Sequence, residues 1–231
     1  MKFIKLCKKI CLLGLACLTV FAAASCAGNN ETKEDKTMVI AALDTAESCQ
    51  ELTTRKTTGS VSFDEAMGAA KFTFTEVSVS WYENTIGFAT DTQAYQNMKS
   101  GRDSGEYSWL AFDLQFEGPG FFEMDFKNFL IFPTGNVNDT QIGKYYQSYF
   151  SEIHRYNDAN VEILQEQIRA GKWNSIYVPL TDENGLNVAA DFFTLFAIDP
   201  VLVNSHFGEP VAKNVNYWIK NVRFESKLLL S

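Results

Sequence analysis

The sequence predicts an all-β fold, an antiparallel β-sandwich interrupted by one short helical insertion. Three observations carry this. Apolar residues alternate with polar ones over several separate stretches, the period of a half-buried strand. Turn residues punctuate those stretches. The chain is also rich in aromatic residues, at 14%, with 19 Phe, 9 Tyr and 4 Trp, and large rings pack well on pleated sheets.

The strands follow in order. Phe72 and Phe74 alternate with Thr73 and Thr75, and Val77, Val79 and Trp81 with Ser78 and Ser80. The phase slips at Thr75-Glu76, which suggests a bulge. The clearest alternation runs from Trp109 to Glu117. Leu110, Phe112, Leu114 and Phe116 face one way there, and Trp109, Ala111, Asp113, Gln115 and Glu117 the other. Gly118-Pro119-Gly120 then signals a turn, and Phe122, Met124 and Phe126 complete an expected hairpin. Strand character returns at Trp173, where Ile176, Val178 and Leu180 alternate with Ser175 and Tyr177. Pro179 suggests an edge position, because proline cannot donate to a ladder. Residues 192–198 and 217–224 read as the last two strands.

The insertion spans about 133–172. Tyr145, Tyr149, Ile153 and Tyr156 recur at helical spacing. Asp158 is placed to cap a second helix, with Val161, Leu164 and Ile168 on one face and Gly171 after its end.

The N-terminus carries an export signal. Residues 1–9 are basic, and an apolar run of 15 residues follows from Ile10 to Ala24. That run is short of the roughly 20 residues a membrane-spanning helix needs. It ends in Ala23-Ala24-Ser25-Cys26, which resembles the bacterial lipobox. The resemblance implies cleavage before Cys26 and acylation of its thiol. Residues 1–25 are then a lipoprotein signal peptide and 26–37 a polar, charged tether, with the β domain at 38–231. The expected location is the cell envelope of a bacterium, anchored by lipid to the outer membrane. With acyl chains contributing about 0.8 kcal/mol per buried CH₂, the anchor is durable.

The mature chain keeps only Cys26 and Cys49 of five cysteines. Lipid uses the first, so no intrachain disulfide is available and the core must hold by packing. Cys49 is expected to be a buried, unreactive thiol.

Charge excludes one class of partner. Without the leader's four lysines, the remainder carries 16 basic and 28 acidic residues. Nucleic acid needs clustered Lys and Arg, so it is not an expected partner. Chemistry is equally sparse. The chain has no phosphate-binding loop, no Cys-x-x-Cys and no His-Glu-x-x-His. With two His, a His/Cys metal site is not expected, and no cofactor is implied. Asp113, Glu117, Glu123 and Asp125 could approach each other across the expected hairpin, as glycosidase carboxylates do. They fit the polar face of an amphipathic sheet better, so a non-enzyme is expected. Asp182-Glu183-Asn184 could donate oxygens to calcium, but three polar residues in a turn are an ordinary turn.

The aromatic residues on polar strand faces are the better candidates. Trp109, Trp173 and Tyr177 all lie opposite apolar neighbours, where a ring can stack on a sugar or another flat ligand. Tyr145, Tyr146 and Tyr149 offer a second platform. The competing expectation is that loops or the insertion cover these rings and make them core.

The C-terminal third resembles galactose-binding-like jelly rolls of the carbohydrate-binding-module type. The segments that carry it are Trp173-Asn174-Ser175-Ile176-Tyr177-Val178-Pro179-Leu180, Phe192 to Asp199, and Tyr217-Trp218-Ile219-Lys220-Asn221-Val222-Arg223-Phe224. Lys220 stands where that pattern has Asp. A narrower resemblance is to a Bacteroidetes family of secreted jelly-roll proteins of unknown function. It rests on Thr92 to Gly101 and on the tail from Phe207-Gly208 to Asn216-Tyr217-Trp218-Ile219. It covers about 60–132 and 173–225, and the 133–172 segment departs from it. The two resemblances imply a jelly roll that captures a ligand at the cell surface without catalysis. A glycan comes first, and a corrinoid such as cobalamin second because some members of that family capture it. Protein interaction or adhesion is the remaining alternative.

Overall fold

The computed structural model describes residues 35–78, 83–118, 130–131, 154–163, 170–180, 188–189, 192–198 and 215–228. The strands in chain order are β1 (Thr37–Ala41), β2 (Leu52–Thr54), β3 (Gly59–Asp64), β4 (Ala69–Phe74), β5 (Thr85–Ala89), β6 (Trp109–Glu117), β7 (Leu130–Ile131), β8 (His154–Asn157), β9 (Asn174–Pro179), β10 (Val188–Ala189), β11 (Phe192–Ile198) and β12 (Asn216–Glu225). They form two antiparallel sheets. The larger has seven strands in the order β3-β4-β12-β6-β9-β8, with β1 also paired to β12. The smaller has five, in the order β10-β11-β5-β2, with β7 paired to β11.

The inner faces of the two sheets meet in one hydrophobic core. Leu110, Phe112, Leu114 and Phe116 of β6 point into it, as their alternation requires. Phe112 stacks on Phe196 of β11 with ring centroids 6.0 Å apart. Phe196 also meets Tyr217 of β12, so the contact spans both sheets. This is the antiparallel β-sandwich that the alternation predicts. Gly87 lets the small sheet close. A Cβ there would lie 1.8 Å from the Phe193 carbonyl oxygen on β11, so only glycine fits.

β12 is the central strand. β6 follows one side of it along its length, while β4 and then β1 share the other. Its pairing with β6 slips between Lys220 and Arg223, and Asn221 there has φ +54°. The left-handed conformation suits Asn better than most residues. Its backbone N–H donates to the Ala42 carbonyl at 2.9 Å.

The helix of the described residues is not in the expected place. It is α1, Gln93–Ser104, between β5 and β6. Thr92 caps it by accepting from the Tyr95 N–H at 3.2 Å, and Gly105 ends it with φ +66°. Glu51 accepts from the Ala94 N–H at 2.5 Å, a carboxylate at a helix N-terminus. Gly101 brings α1 close to the large sheet: a Cβ there would lie 2.4 Å from the Phe224 ring.

Within the stretch expected to be helical, 154–157 is strand β8, which corrects the reading of Tyr156 as part of a helical stripe and of Asp158 as a helix cap. Tyr156 is buried against Tyr177, and β8 pairs with β9 from His154↔Tyr177 to Asn157↔Asn174. Asp158 lies in the turn that follows, where the Asn157 side chain accepts from the N–H groups of Ala159 and Val161. Val161 is exposed. A few apolar residues at helical spacing do not fix a period when a sheet edge offers hydrogen bonds. The rest of that insertion, apart from residues 162–163 and 170–172, lies outside the described residues. So do the second arm of the expected hairpin, Phe122 to Phe126, and the expected strand residues Val79 to Trp81. β4 stops at Phe74, at the expected phase slip. Both sides of β6 are taken, by β12 and β9. Pro179 ends β9 beyond the last pair with β8, so its missing N–H costs no ladder bond.

Candidate ligand-binding face

The outer face of the seven-stranded sheet gathers the chemistry. Strand alternation places Ser175 and Tyr177 of β9 outward with Trp109, Ala111, Asp113 and Gln115 of β6, and Trp173 immediately precedes β9. On β12 the same rule turns Trp218 and Lys220 outward, since Tyr217 and Ile219 face the core. After the Asn221 bulge, Arg223 and Glu225 continue the row. β8 adds His154 and Tyr156.

A cleft of about 260 Å³ opens on this face. It is lined by Val39, Ala42, Asp113, Asn160, Ser175, Asn221, Val222 and Arg223, so both the bulge and β1 border it. Asp113 sits at its centre. It accepts from the Ser175 hydroxyl at 2.7 Å and the Asn221 amide at 2.7 Å, and Arg223 Nη1 lies 3.8 Å away. Both carboxylate oxygens are engaged, an arrangement that orders the cleft. Glu123 and Asp125, the other expected carboxylates, lie outside the described residues, as do Asp182, Glu183 and Asn184. Among the described residues no group of three or more His, Cys, Asp or Glu is placed to hold a metal ion.

The expected aromatic residues divide. Trp109 and Trp173 are half-buried and keep exposed surface. Trp109 meets the His154 ring edge-on at 5.2 Å. Trp173 has the Lys220 ammonium 4.1 Å from its ring centroid. Tyr177 shares their face but is fully buried, under Tyr156 and Arg223. Its hydroxyl accepts from Arg223 Nη2 at 3.1 Å and lies 3.4 Å from Glu225. Burial pushes its phenol up to about 12. Tyr177 therefore belongs to a small outer core with Ala111 and Tyr156, and it has no ring face open to a ligand. The cause is coverage by β8 and Leu228, which are distant in sequence. Tyr145, Tyr146, Tyr149 and Cys26 lie outside the described residues.

Sequence reasoning missed Trp218, Asp64 and Lys71. Trp218 is buried, donates its indole N–H to Asp64 at 2.9 Å, and has Lys71 5.6 Å from its ring centroid. The outward phase of Trp218 was available from its neighbours Tyr217 and Ile219. Its partners were not, because β3 and β4 lie far away in the chain. Cys49 is buried, 3.6 Å from the Leu43 carbonyl, and burial raises its thiol to about 11. A thiol this protonated is not a nucleophile at neutral pH.

No protein-family model matches the chain, and no curated protein does. Among solved structures it is similar to a family 29 carbohydrate-binding module, a mutant complexed with cellulohexaose. The identity is 12% and the TM-score 0.37, over 83% of this chain and 92% of that one. This is a likeness in coarse strand arrangement, and it assigns no residue of the face described above. The narrower Bacteroidetes resemblance rests on its sequence segments alone.

Proposed function

We propose that this protein is a non-catalytic capture module that binds a glycan on the outer face of its larger sheet. The observation that supports this most is the adjacency of Trp173 to a polar cleft. Trp173 stands immediately before β9, two residues from Ser175, a span of roughly 6.6 Å at strand rise. One indole with exposed surface thus stands beside Ser175, Asp113, Asn221 and Arg223. A sugar presents the matching surfaces: an apolar ring face for stacking and hydroxyl groups for carboxylate, amide and guanidinium partners. The engaged state of Asp113 favours recognition over acid–base work. The Ala23-Ala24-Ser25-Cys26 segment supports a lipid anchor at Cys26 and, with it, a cell-envelope location for the module.

The test is a glycan array probed with the fluorescently labelled full-length chain, with cobalamin as a parallel ligand. Binding to a glycan class that Trp173→Ala reduces supports the reading. Cobalamin binding alone would replace the glycan with a corrinoid. Binding to neither, by folded protein, would overturn small-ligand capture and favour a protein partner.

A further inference from the structure

Lys220 is the informative residue. Its Cα is paired directly across the ladder with Asp113, where a Lys–Asp pair is the ordinary outcome. The pair does not form. Asp113 turns instead to Ser175, Asn221 and Arg223. The Lys220 ammonium lies over Trp173, 4.1 Å from the ring centroid, and has no carboxylate partner among the described residues. The other cations of this face are balanced differently. Arg223 is paired with Glu225, and the positive charge of Lys71 helps hold Asp64 below the usual carboxylate range. Lys220 is thus held in place by the indole while its donors stay uncommitted to any acid among the described residues.

Resting on the glycan reading above, we propose that the ligand is an acidic sugar. Its ring stacks on exposed surface of Trp173, and its carboxylate takes a charge-assisted hydrogen bond from Lys220. A neutral sugar would leave the ammonium without a counter-charge. A uronate carries one at its ring edge. Charge-assisted bonds are about twice as strong as neutral ones, so the carboxylate sets the preference. Asp113 is kept away from Lys220 by its own three partners, so it does not compete for the ammonium.

The experiment is calorimetry of the full-length chain against matched pairs of oligosaccharides. Oligogalacturonate, oligoalginate and hyaluronan fragments are each compared with their carboxyl-reduced forms, which share the backbone and lack only the charge. The expected result is that one uronate binds at least tenfold tighter than its reduced form. Raising NaCl from about 50 mM to 500 mM should shrink that preference, because exposed charge pairs are screened. Lys220→Met should abolish it, and Lys220→Arg should keep most of it. Equal affinity for a uronate and its reduced form would overturn the acidic-sugar proposal and leave glycan capture standing, as would a preference that survives in Lys220→Met. Folded wild-type protein that binds none of these pairs but binds neutral glycans on an array also overturns the acidic-sugar proposal alone. Absence of binding to every glycan overturns both readings. The wild-type comparison needs no variant, so a variant that fails to fold leaves the result intact.

Discussion

Trp218 of β12 donates its indole N–H to the Asp64 carboxylate of β3 at 2.9 Å, and so ties the central strand of the large sheet to its edge across β4. The bond also sets the acid response of that edge. The Trp218 hydrogen bond, with the N–H groups of Met67 and Ala66 and the charge of Lys71, holds the Asp64 carboxyl below its ordinary value of 3.8. A depressed carboxylate contributes stability above its unfolded pKa and loses it as pH falls through its folded pKa. Trp218→Phe should therefore cost stability at pH 7 and flatten the loss of stability below about pH 4. Thermal melts of both proteins from pH 7 to 2 check this. Parallel curves would show that Asp64 does not carry the acid response.

Phe112 and its chain neighbour Asp113 are on opposite sides of the same strand, and they should fail differently. Phe112→Ala empties a core position stacked on Phe196 and should cost about 3 to 5 kcal/mol. Asp113→Ala leaves the Ser175 hydroxyl and the Asn221 amide without their acceptor and removes one of the two carboxylates beside Arg223. It should cost about 1 to 3 kcal/mol, more than an ordinary surface change. Urea melts give both numbers. An Asp113→Ala loss below about 0.5 kcal/mol would show that the cleft's hydrogen bonds do not order it.

Gly101 is the point where α1 rests on the sheet. An added methyl would press on the Phe224 ring at 2.4 Å and the Met38 sulfur at 3.0 Å. Helix propensity alone would make Gly101→Ala stabilising by about 1 kcal/mol. Overpacking should reverse the sign and give a net loss of about 1 to 2 kcal/mol. A stabilised variant in urea would mean that α1 sits further from β12.

Alternation made β6 and β9 legible, because each has enough alternating residues to assign its two faces, while β11 and β12 were legible only as apolar, aromatic strands. α1 was not, although its Thr92 cap and Gly105 stop stand in the sequence, because Ala94, Tyr95, Met98 and Gly101 give only a thin apolar stripe. β8 was misread because Tyr156, counted into a helical stripe, pairs with a strand that lies elsewhere in the sequence. The same limit governs the site. Alternation puts Trp109, Trp173 and Tyr177 on the outer face, but β8 and Leu228 decide that Tyr177 is covered. The bulge at Asn221, which shapes the cleft, depends on a φ of +54° that no local pattern announces.

The anchor has its own test. Cys26→Ala should abolish incorporation of a fatty-acid analogue during growth and leave the precursor uncleaved. Equal labelling of wild type and variant would remove the lipid anchor from the account.

The most direct test of glycan capture is a calorimetric titration of the full-length chain and its Trp173→Ala variant with the tightest-binding oligosaccharide of the array. Trp173 is half-buried on the outer face and does not belong to the inner core. Its loss should therefore change the melting temperature little. Removing one stacking ring should cost about 1 to 3 kcal/mol of affinity, which is about five- to hundredfold in Kd. An unchanged Kd in folded Trp173→Ala would contradict the account, because the ligand would then sit somewhere other than this face.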